Sequence, residues 1–245
     1  MRKTGVGGAP PFYSVLSCKM KLPTLIILLV LILAQHGKGQ DTLDMARTLT
    51  LYNVPFTWVD QNPRLRFGLE YHDDNRLGYS LEVGFGNRHL NHKRLEDLVW
   101  GQAYSFFEVR SEVKWYRQEA RQFSTYFGAE VFYYNMTDHL SNNSYYPDRN
   151  TEELLYDEAD FRKEKIAFQF KAGIKFLATK RFVMDFNQGI GLAYRHIRYS
   201  NVVNPRIAVD DFDEWGWPES YKNGGKYLLL QFSPGVRIGM VIGRL

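Results

Sequence analysis

From residue 64 onward the chain alternates apolar and polar side chains with a period of two. That pattern marks half-buried strands and leaves little room for helices. Leu65, Phe67, Leu69 and Tyr71 oppose Arg66, Gly68 and Glu70, and Leu77 to Phe85 repeats the arrangement. Equivalent stretches run from Phe107 to Trp115, Phe123 to Tyr133, Ile166 to Phe176, Phe182 to Tyr194 and Leu228 to Ile242. Seven strands are clear. An eighth is expected between Arg47 and Phe56, where the alternation is ragged and Pro55 interrupts it. An even count returns both ends of a barrel to one side. Pro234, midway along the last stretch, predicts a bulge with Gly235 or a division into two shorter strands.

The connections alternate in length. Short turns are expected at His72–Arg76, Gln118–Arg121 and Ala178–Arg181, and long loops at Asn87–Tyr104, Asn135–Lys163 and Ser200–Gly225. This is the layout of an up-and-down barrel with short turns at one end. The expected fold is all-β, an eight-stranded antiparallel up-and-down transmembrane β-barrel over residues 40–245.

Alternation alone does not say which face meets water. A soluble barrel points its apolar residues inward, whereas a membrane barrel points them at lipid. Three features favour lipid. The apolar faces reach six or seven positions. Tyr71, Tyr79, Trp115, Tyr116, Tyr133, Tyr134 and Tyr194 cluster near strand ends, where interfacial girdles sit. The polar faces carry glycines and both charge signs. A soluble barrel enclosing a hydrophobic ligand is the competing fold. Mean hydropathy is −0.37, and no apolar run reaches the roughly 18 residues of a membrane helix, so a polytopic helical protein is excluded. The 16 % aromatic content excludes a disordered chain.

The formal charge of +4 comes from the N-terminal end, where Arg2, Lys3, Lys19, Lys21 and Lys38 face no acid. Without those five, 26 basic side chains meet 27 acidic ones, which is no nucleic-acid footprint. Lys19 and Lys21 precede an apolar stretch from Leu22 to Ala34, and Gly37 and Gly39 follow it. This is the arrangement of a secretory signal peptide over residues 1–39, with Met20 a plausible start and cleavage before Gln40. Export to the outer membrane is expected. Cys18 is the only cysteine and precedes the apolar stretch, so the exported chain would carry no disulfide and no cysteine metal site.

An eight-stranded barrel has an interior only wide enough for side chains. The polar faces place Glu70, Glu82, Glu108, Glu112, Glu130 and Asp185 there, against Arg66, Arg110, Lys114, Lys171, Lys175, Arg195 and Arg237. Enclosed charges must pair, so a salt-bridge network plugging the lumen is expected, not a selective pore.

The export signal, the alternating segments and the final Pro234-Gly235-Val236-Arg237-Ile238-Gly239-Met240 together resemble small outer-membrane barrels of the OmpA and OmpX type. They resemble still more closely a Bacteroidota outer-membrane barrel family of unknown function. The segments that carry the resemblance are Phe67-Gly68-Leu69-Glu70-Tyr71, Ser111 to Tyr116, Tyr126 to Val131, Lys180-Arg181-Phe182 and Gly189-Ile190-Gly191. It covers roughly residues 45–245 and implies the fold and a Gram-negative outer membrane only; contact with lipid and lipopolysaccharide, a non-enzymatic role and no cofactor are expected beside it. No peptidoglycan-binding domain is expected after the barrel, and Leu245 stands where proteobacterial barrels carry a terminal aromatic residue.

Candidate chemistry is sparse. His196 and Ser200 are the most enzyme-like pair, because outer-membrane lipid A deacylases pair a His with a Ser two residues away. A separation of four leaves them about 13 Å apart on an extended strand, too far for proton transfer. Asp210, Asp211, Asp213 and Glu214 put four carboxylates in the last long loop beside Trp215, Trp217 and Tyr221. The acids suit calcium weakly and lack EF-hand spacing, while the aromatics suit a glycan or protein partner. His89, His92 and Glu96 give a weak zinc pattern if residues 89–99 form a short helix.

Overall fold

The computed structural model describes residues 47–58, 62–73, 76–90, 103–118, 123–148, 151–179, 181–208 and 222–244. The expected signal peptide, Met20 and Cys18 lie outside them. The strands are β1 (Thr48–Asn53), β2 (Leu65–His72), β3 (Leu77–Asn87), β4 (Ser105–Gln118), β5 (Phe123–Tyr145), β6 (Leu154–Leu177), β7 (Phe182–Val203), β8 (Arg206–Ile207) and β9 (Gly225–Arg244). They form one antiparallel sheet in the order β5-β4-β3-β2-β1-β9-β7-β6, and β5 also pairs with β6, so eight strands close in a ring. The two residues of β8 pair with Leu154 and Leu155 of β6. The ragged first strand is present as β1, and Pro55 ends its pattern by opening a 3-10 turn, Pro55–Trp58.

The alternation sorts onto the two faces of the ring with apolar residues outward. Twenty-nine large hydrophobic side chains stand exposed among the described residues, including Phe67, Leu81, Phe127, Phe170, Ile190 and Leu230. The charged partners point inward and are buried. The outward polarity changes on a single rung. Asn135, Glu164, His196 and Lys226 are aligned partners across β5, β6, β7 and β9. The outward rung beneath them is Tyr133, Ile166, Tyr194 and Leu228. On β6 the outward face runs Glu158, Asp160, Arg162, Glu164 and then Ile166, Phe168, Phe170, Ala172, Ile174.

Several expectations change. Asn135 to Lys163 is not a long loop, because β5 runs on to Tyr145 and β6 starts at Leu154. Alternation persists there with reversed polarity: Met136 and Leu140 face in, and Ser141 faces out. Tyr116 and Tyr134 do not belong to an outer girdle; both are buried inside. The interior is not charged throughout. Above the charged layer Phe106, Phe132, Met136, Leu140, Tyr156, Phe161 and Ile197 form an apolar cluster. Tyr145 and Tyr199, partly buried, pack against it with ring centroids 4.5 Å apart. Pro234 makes no bulge, since β7 and β9 pair in unbroken register from Gly225 to Met240. Among the described residues it falls where β9 has one strand neighbour, as β1 pairs with β9 no further than Asn53↔Ile238. A strand bordered on one side tolerates a missing N–H. The register shift of β9 lies instead opposite Leu49 and Thr50.

Two inward tyrosines lie over cross-strand glycines. Tyr52 pairs with Gly68 and Tyr126 with Gly173, and a Cβ on either glycine would come within 2.4 Å of the ring. The glycines therefore let each phenol reach a carboxylate, Tyr52 to Glu82 (3.2 Å) and Tyr126 to Asp185 (2.8 Å). Gly173→Val is expected to lower the unfolding free energy by about 1–3 kcal/mol through overpacking. Gly243→Val, with open space around its Cα, should leave it near wild type. Urea titration followed by electrophoretic mobility would measure both.

Candidate functional site

The inward positions of seven strands carry one connected ion network. At one end Glu70 accepts from Lys114 (2.6 Å), Lys175 (2.7 Å) and Tyr116 (2.5 Å), and His72 Nε2 lies 2.6 Å from it. Lys114 also donates to Asp185 (2.9 Å), which takes a second bond from Arg237 (3.1 Å). Arg237 then reaches Glu112 (2.6 Å) and Glu82, with Glu130 at 3.6 Å. Lys171 (2.6 Å) and Arg110 (2.7 Å) pair with Glu130, and Arg110 links it to Glu108. Glu108 also holds Arg64 (2.6 Å), with Arg66 at 3.5 Å. Arg66 in turn approaches Glu82 at 2.9 Å.

Twelve of the thirteen lumen residues expected from sequence are buried, and Arg195 is half-buried. A low-dielectric interior makes an isolated charge costly, and mutual pairing offsets that cost only when each ion is well coordinated. Carboxylate oxygens of Glu82, Glu112 and Glu130 lie within 4.8 Å of one another, a donor set suited to a hard cation. The Arg237 guanidinium already supplies the positive charge at that point.

At the other end of the network a cavity of about 770 Å³ opens beside β9. Among the described residues Arg64, Arg66, Arg110, Lys163, Lys165 and Arg195 line it. Lys165 donates to the neutral amide of Gln231. Its ammonium lies 5.7 Å from the Phe132 ring centroid and 5.8 Å from that of Tyr134. Arg195 stacks over Tyr227 at 5.1 Å. Sequence reasoning missed Arg64, Lys163 and Lys165. Extending the alternation back from Ile166 would have found the two lysines, because residues 163 and 165 share the inward face with Lys171 and Lys175.

The remaining candidates do not assemble. His196 and Ser200 share β7, which pairs with β6 without interruption between them. The bulge that could have closed their gap is absent, although both line an outer depression of about 530 Å³. His89 is exposed in a 3-10 turn, Arg88–Leu90, and the rest of the expected helix lies outside the described residues. His92, Glu96, Asp210, Asp211, Asp213, Glu214, Trp215, Trp217 and Tyr221 lie outside the described residues.

Above the polarity boundary, His139 Nδ1 lies 2.9 Å from Asp160, and Asn201 donates to the other oxygen of that carboxylate (2.7 Å). The hydrogen bond to Asp160 raises the His139 pKa above its usual 6.5 and lowers that of Asp160. The stabilising contribution of His139 is therefore full below its unfolded pKa and lost as pH rises through the raised folded value. Asp160→Asn should move the His139 titration measured by NMR down toward 6.5.

No known protein family, curated protein or solved structure matches the chain. The chemistry of the site therefore rests on its own geometry. Arg237→Met would remove the cation shared by Glu82, Glu112, Glu130 and Asp185, leaving Glu112 only Lys171 at 3.5 Å, and a loss of about 3–5 kcal/mol of stability is expected in urea unfolding. Adding Glu112→Gln to that variant should recover part of the loss by removing one stranded charge.

Proposed function

We propose that the chain is a non-enzymatic outer-membrane β-barrel with a plugged lumen, similar to the OmpA and OmpX type. It serves envelope structure and presents an outer surface for binding. The observation that carries this reading is the inversion of the ring, with hydrophobic side chains outside and paired ions within. Soluble monomers seldom expose contiguous apolar patches beyond a few hundred Å². In lipid the same exterior is stabilising.

The dimensions agree. Ile166 to Ile174 on β6 spans nine residues, and a tilted transmembrane strand needs about 9–11. Tyr133 and Tyr194 stand at one border of the band, and Tyr79 and Trp115 at the other, where interfacial aromatics belong. Export fits the basic and apolar segment at residues 19–39. Beyond the band β5 and β6 continue as a hairpin, where Tyr145 packs edge-on against Tyr156 and at a tilt against Tyr199 of β7. That hairpin, with the loops, offers the surface for a protein or glycan. The continuous ion network fills its layer of the lumen with paired side chains, which favours a scaffold over a channel.

Fractionation tests the assignment. The chain should require detergent for extraction and should migrate differently in electrophoresis before and after boiling, as closed membrane barrels do. Release by osmotic shock with no mobility shift would contradict it.

A further inference from the structure

Above the apolar band, the outward face of β6, β7 and β9 is sorted by the sign of its charge. The first polar rung holds Glu164 and Lys226, with His196 between them. The next rung sets Arg162 of β6 directly opposite Arg198 of β7. The one above pairs Asp160 with Ser200, and Glu158 lies further out on the same face of β6. On these strands Lys226, Arg162 and Arg198 therefore stand nearest the apolar band with a single carboxylate, and two acids follow above them.

Like charges directly opposite each other weaken a ladder. One carboxylate offsets both arginines: Arg162 Nη2 donates to one oxygen of Glu164 and Arg198 Nη2 to the other, each at 2.8 Å. Arg162 Nε also donates to Asn135 (3.2 Å). These bonds occupy only part of the two planar donor forks, and both side chains stand half-exposed. With His196 they line the same outer depression. A second anion fits beside Glu164 on chemical grounds.

Depth identifies that anion. A strand tilted by about 40° climbs roughly 5 Å for every two residues. The headgroup layer of a bilayer is roughly 5–8 Å deep on each side of the hydrocarbon. Counting outward from Ile166, the last apolar residue of the β6 face, the rungs of Glu164 and Arg162 fall in that layer. Those of Asp160 and Glu158 clear it. The bases thus stand level with lipid phosphates, and the acids, which phosphates would repel, stand beyond them.

We propose that Arg162 and Arg198, with Lys226, form a binding site for the anionic phosphate headgroup of a lipid packed against the β6–β7–β9 wall. The phosphate takes charge-assisted hydrogen bonds from the two guanidiniums, whose fork geometry suits it, and displaces part of their bonding to Glu164. The acyl chains run down the outward face over Ile166, Tyr194 and Leu228, which are exposed. The inference rests on the membrane reading and adds to it a ligand class and a place.

The test uses the full chain in maltoside micelles. Phosphatidic acid labelled with a fluorophore on its acyl chain is the probe, and zwitterionic phosphatidylcholine labelled in the same way is the control. The probe should bind saturably and about tenfold more tightly than the control. Dodecyl phosphate should displace it, and inorganic phosphate should do so far less well. Arg162→Gln combined with Arg198→Gln should weaken the probe about tenfold or more. Glu164→Gln should tighten it, because the carboxylate competes for the same donors. Arg206→Gln removes the same charge higher on the hairpin, where Arg206 pairs with Asp157, and should leave binding unchanged. Boiling-dependent mobility checks folding, and Glu164→Gln reads the competition with both arginines intact if the double variant does not fold.

Equal binding of the two lipids by a chain that needs detergent would overturn the site alone. So would an equal loss from Arg206→Gln, or weaker binding in Glu164→Gln. Displacement by inorganic phosphate as effective as by dodecyl phosphate would overturn a lipid as the source of the anion. A chain released without detergent would overturn the membrane reading, and the headgroup site with it.

Discussion

The structure depends on how a narrow barrel accommodates charge. Arg237 sits among Glu82, Glu112, Glu130 and Asp185, four carboxylates contributed by β3, β4, β5 and β7. One guanidinium on the last strand thereby ties together strands that are distant in sequence. Every further ion of the layer joins to that group through one or two shared carboxylates. Such a network gains little if judged against an apolar core of the same volume, because desolvation offsets most of the attraction. Its value is directional. It fixes which face of seven of the strands turns inward, and so leaves their apolar face nowhere to go but out.

This two-faced arrangement is why so much of the fold was legible. A strand such as Ile166 to Phe176 states its two faces residue by residue, and glycines such as Gly173 mark where a neighbouring ring needs room. The alternation does not state where a strand stops, because it continues when its polarity reverses. At Tyr133 and Asn135 the outward face turns polar and the inward face turns apolar. A reader looking for apolar faces sees a loop there instead of a hairpin. The same reversal hid Lys163 and Lys165, which are inward although their outward neighbours Arg162 and Glu164 are charged as well. Tyr116 and Tyr134 were misplaced for a related reason. A tyrosine near a strand end suits either an interface or a buried carboxylate, and only register decides between them.

The short first strand has the largest consequence. Closing the ring with the six residues of β1 leaves β9, among the described residues, bordered by a strand on one side along its upper part. Pro234, which reads from sequence as a flaw in the strand, lies on this stretch. The cavity beside β9 borders the same stretch, and its described lining residues are spread from Val54 to Val236. No local motif could announce it, because those residues are so far apart in sequence.

The central claim is that the outward apolar band lies in lipid and ends at the rung of Asn135, Glu164, His196 and Lys226. The barrel contains no cysteine of its own, so single-cysteine spin labels along the outward face of β6 test it directly. Labels at 166, 168, 170 and 174 should be relaxed by oxygen and protected from an aqueous nickel chelate in reconstituted bilayers, and labels at 160, 162 and 164 should behave in the opposite way. Water-accessible labels along the whole face would contradict the account.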